Sequence, residues 1–220
     1  MPADRLTSLQ RRILGVLAGL TPPWTFTGGG ALAGIHLGHR TTRDVDLFWR
    51  SRPALGHAAG EAQALLRGDG LDVDVLRTMP MFGELRVSDG DDVCIVDLVA
   101  EPFPPVAPPE RATVGDAEIL VDSMHEILVS KLTALLGRTE LRDLVDVQAL
   151  LGAGGDLVAA LRDAPKKGAG FSAVTLAWVL HTFEIGPLAQ ALCWNAEEAA
   201  GLDLFRRQLI DRLTELARPE

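Results

Sequence analysis

The sequence predicts an α+β fold, with helices and strands mixed in the first half of the chain and only helices in the second. Two observations support this class. Alternation of apolar and polar residues, which is typical of strands, occurs only before residue 123. After that position, apolar residues recur at helical spacing, and Gly or Pro separates the segments. We therefore expect a mixed domain over 1–122 and a helical domain over 123–220.

The first half contains these predicted elements in order. Apolar residues at three- and four-residue steps predict an amphipathic helix over 4–19, which ends at Thr21-Pro22-Pro23. The next segments are a strand at 24–27, a glycine turn at 28–30, a short helix at 31–37, a strand at 44–49, a helix at 54–67 and a strand at 71–78. Residues 84–100 predict two strands joined at Asp89-Gly90. The proline-rich segment 101–111 predicts an extended loop, and 114–122 returns to β form.

The second half opens with Ser123 and Glu126, which have the spacing of a capping box and predict a helix through Leu136. Helices are also predicted at 140–151, 156–163, 172–183, 187–193 and 203–217. The aromatic residues of this half, Trp178, Phe183 and Trp194, are expected in its core.

Composition narrows the class of protein. Hydrophobic residues make up 47% of the 220 residues, which favours a packed globular protein over a disordered one. A net charge of −9 argues against a protein wrapped in nucleic acid, although Arg40, Arg43, Arg50 and Arg52, and Lys166 with Lys167, could form local basic patches. We expect no membrane segment and no signal peptide. Cys94 and Cys193 are predicted to be buried thiols of a cytoplasmic protein.

The acidic pair Asp44 and Asp46 is the first candidate site. Residues i and i+2 of a strand share a face, so the two carboxylates lie side by side and repel unless a cation holds them. Mg²⁺ (or Mn²⁺) suits this role. Asp97 lies between apolar neighbours in another predicted strand, and would supply a third carboxylate if that strand runs beside 44–49.

The glycine turn at Gly28, Gly29 and Gly30 precedes the acidic pair. Such a turn, leading into a helix, offers accessible backbone N–H groups to phosphates. Taken alone, either motif is weak: acidic outer faces are common on strands, as at 71–75, and three glycines are often a plain turn. Their order and the third aspartate favour a site for metal and phosphate.

The stretch GGGALAGIHLGHR…DVDLF resembles the nucleotidyltransferase-like proteins of the AbiEii/AbiGii toxin group. KLTALLGRTELRDLVDVQALL, at 131–151, resembles the second signature of that family. The resemblance implies a polymerase-β-like nucleotidyltransferase fold, a small mixed sheet flanked by helices and followed by a helical region that completes the cleft. It departs at Gly30, where the family usually carries Ser or Thr, which puts nucleotide affinity or choice in doubt.

Carried over by position, the resemblance implies roles for several residues. Gly28 and Gly29 match the phosphate turn, Asp44 and Asp46 the metal carboxylates, Lys131 the essential lysine, and Asp143 or Asp146 the last acidic position. From spacing alone, Lys131 and Arg138 share a helix face and could contact phosphates, with Arg142 close by on the next helix. The alternative is a salt-bridge lattice of Arg138, Arg142, Asp143 and Asp146 that locks two helices together.

The leading hypothesis is a Mg²⁺-dependent nucleotidyltransferase toxin that transfers a nucleoside monophosphate from an NTP to an acceptor. The resemblance implies RNA, with the tRNA 3′ end as a candidate, as that acceptor and an antitoxin as partner. The two alternatives are a nucleotidyltransferase with a small-molecule acceptor, of the antibiotic-modifying type, and a nucleotide-binding regulatory protein without turnover.

Overall fold

The structure, a computed structural model, describes residues 5–192 and 194–218, so the predicted thiol Cys193 lies outside the described residues. The chain divides into two compact units, the first ending at Ile127 and the second beginning at Leu128. In the described part of the chain, no helix is both long and apolar enough to span a membrane.

The first unit is built on one mixed sheet. The described strands are β1 (Thr25–Thr27), β2 (Asp44–Arg50), β3 (Asp72–Met79), β4 (Phe82–Asp89), β5 (Asp92–Glu101), β6 (Glu110–Val114) and β7 (Ala117–Val121). They lie in the order β3-β4-β5-β2-β1-β7-β6. The pairs β2–β5 and β1–β7 are parallel, and the other neighbours are antiparallel.

The helices of this unit are α1 (Ser8–Leu17), α2 (Gly28–Ala31), which a π-helical turn (Leu32–His36) extends, α3 (Ala58–Gly68) and the start of α4 (Met124–Gly137). A capping box between Thr7 and Gln10 fixes the start of α1. Apolar residues of α1, among them Ile13 and Leu17, are fully buried. The predicted amphipathic helix is thus confirmed, with shorter bounds.

Strand β2 shows the predicted alternation. Val45, Leu47 and Trp49 are buried, while Asp44 and Asp46 on the other face are only half-buried. The predicted hairpin is confirmed as β4–β5, with Gly90 at φ 59° in its turn. Because the turn holds two residues, Asp89 pairs with Asp92, and this fixes the register of both strands.

Two predictions about local structure in this unit need correction. The predicted loop 101–111 ends earlier, because Glu110 and Arg111 already belong to β6, whose strand pairs with β7 across a turn at Gly115 (φ 60°). The glycines at 28–30 do not form a separate turn. They are themselves the first residues of α2, and only Gly28 has a positive φ, at 67°.

Arg50 is a candidate for a local basic patch in the sequence, but its side chain is only 9% exposed and lies among acidic groups. It forms ion pairs with Glu101 and Asp122, and its Nη2 lies 3.6 Å from Glu126 Oε1. Burial lowers the pKa of Arg50, but the three carboxylates outweigh it, and the pKa is raised above its usual value. Arg50 thus compensates buried negative charge where β2, β5 and α4 meet.

Ser123 caps α4 by accepting a hydrogen bond from the backbone N–H of Glu126 (3.2 Å). The carboxylate of Glu126, however, accepts hydrogen bonds from the backbone N–H groups of Val106 (2.7 Å) and Ala107 (3.2 Å). The carboxylate of Glu126 thus also ties the proline-rich loop to the start of α4.

The second unit is helical, as predicted. After the rest of α4, its described helices are α5 (Leu141–Gly152), α6 (Leu157–Asp163), α7 (Ala173–His181), α8 (Ile185–Ala191) and α9 (Ala196–Leu216), with a 3-10 turn at Ala164–Lys166. Phe183 is buried as expected, and Trp194 is half-buried. The core prediction is wrong for Trp178, whose side chain is 68% exposed on α7.

Candidate active site

A row of polar residues crosses the sheet of the first unit. Asp46 on β2 is in register with Asp97 on the parallel neighbour β5, and with Thr27 on β1. Neighbouring strands lie about 4.8 Å apart, and residues in register point to the same face. Asp44, two residues before Asp46, adds a second carboxylate from β2. The sheet therefore brings all three predicted metal carboxylates to one face.

A fourth carboxylate, absent from the sequence prediction, belongs to the same row. Glu84 on β4 is in register with Asp97, and Arg77 on β3 is in register with Glu84. Arg77 Nε lies 3.2 Å from Glu84 Oε2. The signal was present in the sequence, since counting outward from the hairpin turn places Glu84 opposite Asp97.

The pKa of Asp97 is strongly perturbed. Burial, followed by the charges of Asp46, Glu84 and Asp44, raises its pKa to about 7. Its Oδ1 is buried and has no hydrogen-bond partner in the described structure. A buried carboxylate oxygen without a donor is costly, so Asp97 is a ready acceptor for a proton or a cation.

The same carboxylates also affect the pKa of Cys94. Its thiol is buried on β5, and burial together with Asp44, Asp46 and Asp97 raises its pKa to about 12. The predicted buried thiol is confirmed at this position. At neutral pH it stays protonated and is a poor nucleophile.

The glycines at the start of α2 allow charged side chains to approach the backbone. A Cβ at Gly28 would collide with the Asp46 carboxylate, reaching 2.8 Å from its Cγ. A Cβ at Gly29 would collide with the guanidinium of Arg40, reaching 3.2 Å from its Cζ. The positive φ of Gly28 adds a second reason for glycine at that position.

Gly30 lies against backbone and a buried ring rather than against charged side chains. A Cβ there would lie 2.9 Å from the backbone oxygen of Asp44 and 2.9 Å from two ring atoms of Phe26. Phe26 is fully buried, so its ring has little room to move. The space that a Ser or Thr side chain would need is therefore already filled in this chain.

The donor set fits a divalent cation shared with a substrate. Within 5–192 and 194–218, no three acidic, His or Cys side chains are gathered closely enough to enclose an ion by themselves. Mg²⁺ usually takes one or two carboxylates and completes its shell with phosphate oxygens and water. The half-buried carboxylates of β2 and the buried oxygen of Asp97 suit that arrangement.

In the second unit, Lys131 on α4 is buried with two aspartates of α5. Its Nζ lies 2.7 Å from Asp143 Oδ1 and 2.8 Å from Asp146 Oδ2. The side chains of Asp143 and Asp146 are 2% and 0% exposed, and that of Lys131 is 9% exposed. The three residues that the family signature singles out are thus one buried, hydrogen-bonded group.

The two arginines predicted to bind nucleotide differ from each other. Arg138 holds Asp143 with both edges of its guanidinium, Nε to Oδ2 at 2.7 Å and Nη2 to Oδ1 at 3.1 Å, while most of its side chain is exposed. Arg142 is exposed on α5. Lys131 on α4 and Arg138, the residue after its end, thus both pair with Asp143 at the start of α5. The alternative of a salt-bridge lattice is met in part, by Arg138, Asp143 and Asp146 together with Lys131, and the structure gives no ion pair for Arg142 among the described residues.

Comparison with solved structures identifies the class of fold as that of the nucleotidyltransferases. MenT4, a nucleotidyltransferase toxin from Mycobacterium tuberculosis, matches with a TM-score of 0.63 at 16% identity, over 94% of this chain and 82% of that one. JHP933 from Helicobacter pylori matches with a TM-score of 0.54 at 18% identity, over 95% and 92%. An antigenic nucleotidyltransferase-like protein from Paracoccidioides brasiliensis gives 0.50 at 15% identity, over 90% and 93%. None of the curated proteins matches the sequence.

The family follows from the sequence itself. The profile of the nucleotidyl transferase AbiEii toxin family, of type IV toxin–antitoxin systems, matches residues 12–214. The chain belongs to this family, as its two signatures suggested, and is a nucleotidyltransferase toxin. Membership implies a nucleotide substrate and an antitoxin partner.

Proposed function

We propose that the chain transfers a nucleoside monophosphate from an NTP to a hydroxyl group of RNA, with Mg²⁺ or Mn²⁺ held by Asp44, Asp46 and Asp97. The acceptor oxygen forms a bond to the α-phosphorus, and the bond from that phosphorus to the β-phosphate oxygen breaks. Pyrophosphate leaves, and the proton of the hydroxyl is released to solvent. Within RNA, the tRNA 3′ end is the acceptor that we propose, on the resemblance to the toxin group.

One observation carries this proposal: the in-register row of Asp46 and Asp97, with Asp44 beside it and a buried oxygen of Asp97 left without a donor. A divalent ion bound there would supply charge neutralisation at the phosphates and an activated acceptor oxygen. The chain itself holds the carboxylates on rigid, paired strands, so little reorganisation is needed when the substrate binds.

The start of α2 supports the same assignment. Gly28 lets the backbone lie directly against Asp46, so a nucleotide whose phosphates share a cation with Asp46 would reach the N–H groups of this segment. The buried group of Lys131, Asp143 and Asp146 is proposed to contribute to transfer as well. A role there in catalysis, beyond holding α4 to α5, stays a prediction.

The test is incubation of the protein with Mg²⁺, each labelled NTP and total tRNA, followed by separation of the RNA. We expect label in the RNA, and none with Asp46→Asn, because the amide removes a negative ligand while keeping the shape of the side chain. Asp74→Asn, an exposed acid on β3, is the matched control and should retain full activity. A fully active Asp46→Asn enzyme would contradict the metal site.

The same experiment tests the acceptor. Transfer to an aminoglycoside or another small hydroxyl compound, with none to RNA, would replace the RNA acceptor by a small molecule. Absence of transfer to either acceptor, with NTP binding intact, would contradict the proposed acceptors.

A further inference from the structure

Arg40 lies against the start of α2, beside the glycine that follows Gly28. An ideal Cβ on Gly29 would collide with Arg40 Nη2, and would lie 3.2 Å from Cζ and 3.5 Å from Nη1. The guanidinium thus approaches this glycine with its Nη2 foremost. Arg40 is half-buried, and its Nη1 donates a hydrogen bond to the carbonyl of Thr41 at 3.3 Å. The positive charge of Arg40 therefore lies near the start of α2.

A side chain of the opposite charge lies against the adjacent glycine. Gly28 is covered by the carboxylate of Asp46, and Gly29 by the guanidinium of Arg40. A polyphosphate that shares a cation with Asp46 would therefore come close to Arg40. Arginine suits such a contact, because its planar fork donates two parallel hydrogen bonds to phosphate oxygens.

A hydroxyl group at position 30 is absent from this chain. Gly30 has no side chain, and the ring of Phe26 and the backbone oxygen of Asp44 occupy the space that one would need. We propose that Arg40 binds a phosphate of the nucleotide beside the glycines that begin α2, and is a side-chain donor there. This inference rests on the proposed function, since it assumes a nucleotide bound at Asp44 and Asp46.

The test uses inorganic tripolyphosphate with Mg²⁺, because this probe presents the phosphates without a base or an acceptor. Its affinity is measured by titration calorimetry for the wild type, Arg40→Ala and Arg40→Lys. Arg43→Ala is the matched control, since Arg43 lies three residues away and is exposed. We expect a loss of at least about tenfold for Arg40→Ala, the scale of a hydrogen bond to a charged group. Arg40→Lys should recover part of the loss, and Arg43→Ala should stay within about twofold.

Two further readouts separate phosphate binding from a structural role. The loss in Arg40→Ala should be large for tripolyphosphate and for the NTPs but small for nucleoside monophosphates, and it should shrink as salt is raised. A distorted start of α2 would weaken the binding of all these ligands at every salt concentration. Tripolyphosphate binding by Arg40→Ala equal to the wild type would overturn the inference alone. Failure of the wild type to bind either tripolyphosphate or any NTP would overturn the proposed function and this inference together.

Discussion

Gly30→Ser restores the hydroxyl residue that the family usually carries at this position, and we expect it to destabilise this chain. The new Cβ would lie 2.9 Å from Asp44 O and from two ring atoms of Phe26. Contacts below 3.0 Å force atoms to move, and both neighbours are constrained. Asp44 O belongs to a paired strand, and Phe26 is fully buried.

The magnitude follows from two opposing effects. Overpacking in a well-packed core costs about 1–3 kcal/mol. Replacing a helical glycine by serine returns about 0.5 kcal/mol of helix propensity. The net loss of unfolding free energy is therefore about 0.5–2.5 kcal/mol, which for a chain of this size lowers the melting temperature by roughly 1–10 °C.

The assay is urea and thermal unfolding of Gly30→Ser beside Gly15→Ser. Gly15 is also helical, but nothing lies within 4 Å of a Cβ placed there, so this control should match or exceed the wild type. Phe26→Leu is then combined with Gly30→Ser. Because the two positions touch, the double variant should lose less than the sum of the single losses, by about 0.5–1.5 kcal/mol. A Gly30→Ser protein as stable as Gly15→Ser, or additive losses, would refute the packing argument.

Three further outcomes follow from the buried charges. Lys131→Met should lower the free energy of unfolding by about 3 kcal/mol, because it removes the cation that pairs with the buried Asp146. Arg212→Met, at the exposed pair with Glu215, should lose under about 1 kcal/mol, and equal losses in urea unfolding would refute this reasoning. Arg50→Met should lose about 3–5 kcal/mol by the same measurement, since Asp122 and Glu126 have no exposed side-chain surface, and a loss as small as that of an exposed arginine would contradict this. In metal-free protein with EDTA, raising the pH from 4 through 7 should lower the free energy of unfolding by about 1–2 kcal/mol, because the folded pKa of Asp97, about 7, exceeds its unfolded value. Asp97→Asn should remove this dependence of stability on pH. An unchanged dependence in the variant would show that another group titrates.

Local pattern predicted most of the secondary structure, because burial on one face imposes a period on each element. The alternation over 44–49, the Asp89-Gly90 turn and the apolar spacing of the helices all correspond to observed elements. The acidic pair of β2 was readable for the same reason, since i and i+2 share a face. Glu84 could have been read too, because a two-residue turn fixes the register of its hairpin.

What the sequence could not determine was set by contacts between distant segments. The parallel pairing of β2 with β5, which brings Asp97 beside Asp46, joins strands more than forty residues apart and leaves no local signal. Arg50 reads as a surface cation, yet lies buried because Glu101, Asp122 and Glu126 converge on it. Likewise the sequence predicts Trp178 to be buried in the core, but its side chain on α7 is exposed to solvent. Sequence alone determined which side chains each element offers. The tertiary structure decided which of them meet, because charge compensation and burial depend on neighbours that the local pattern does not specify.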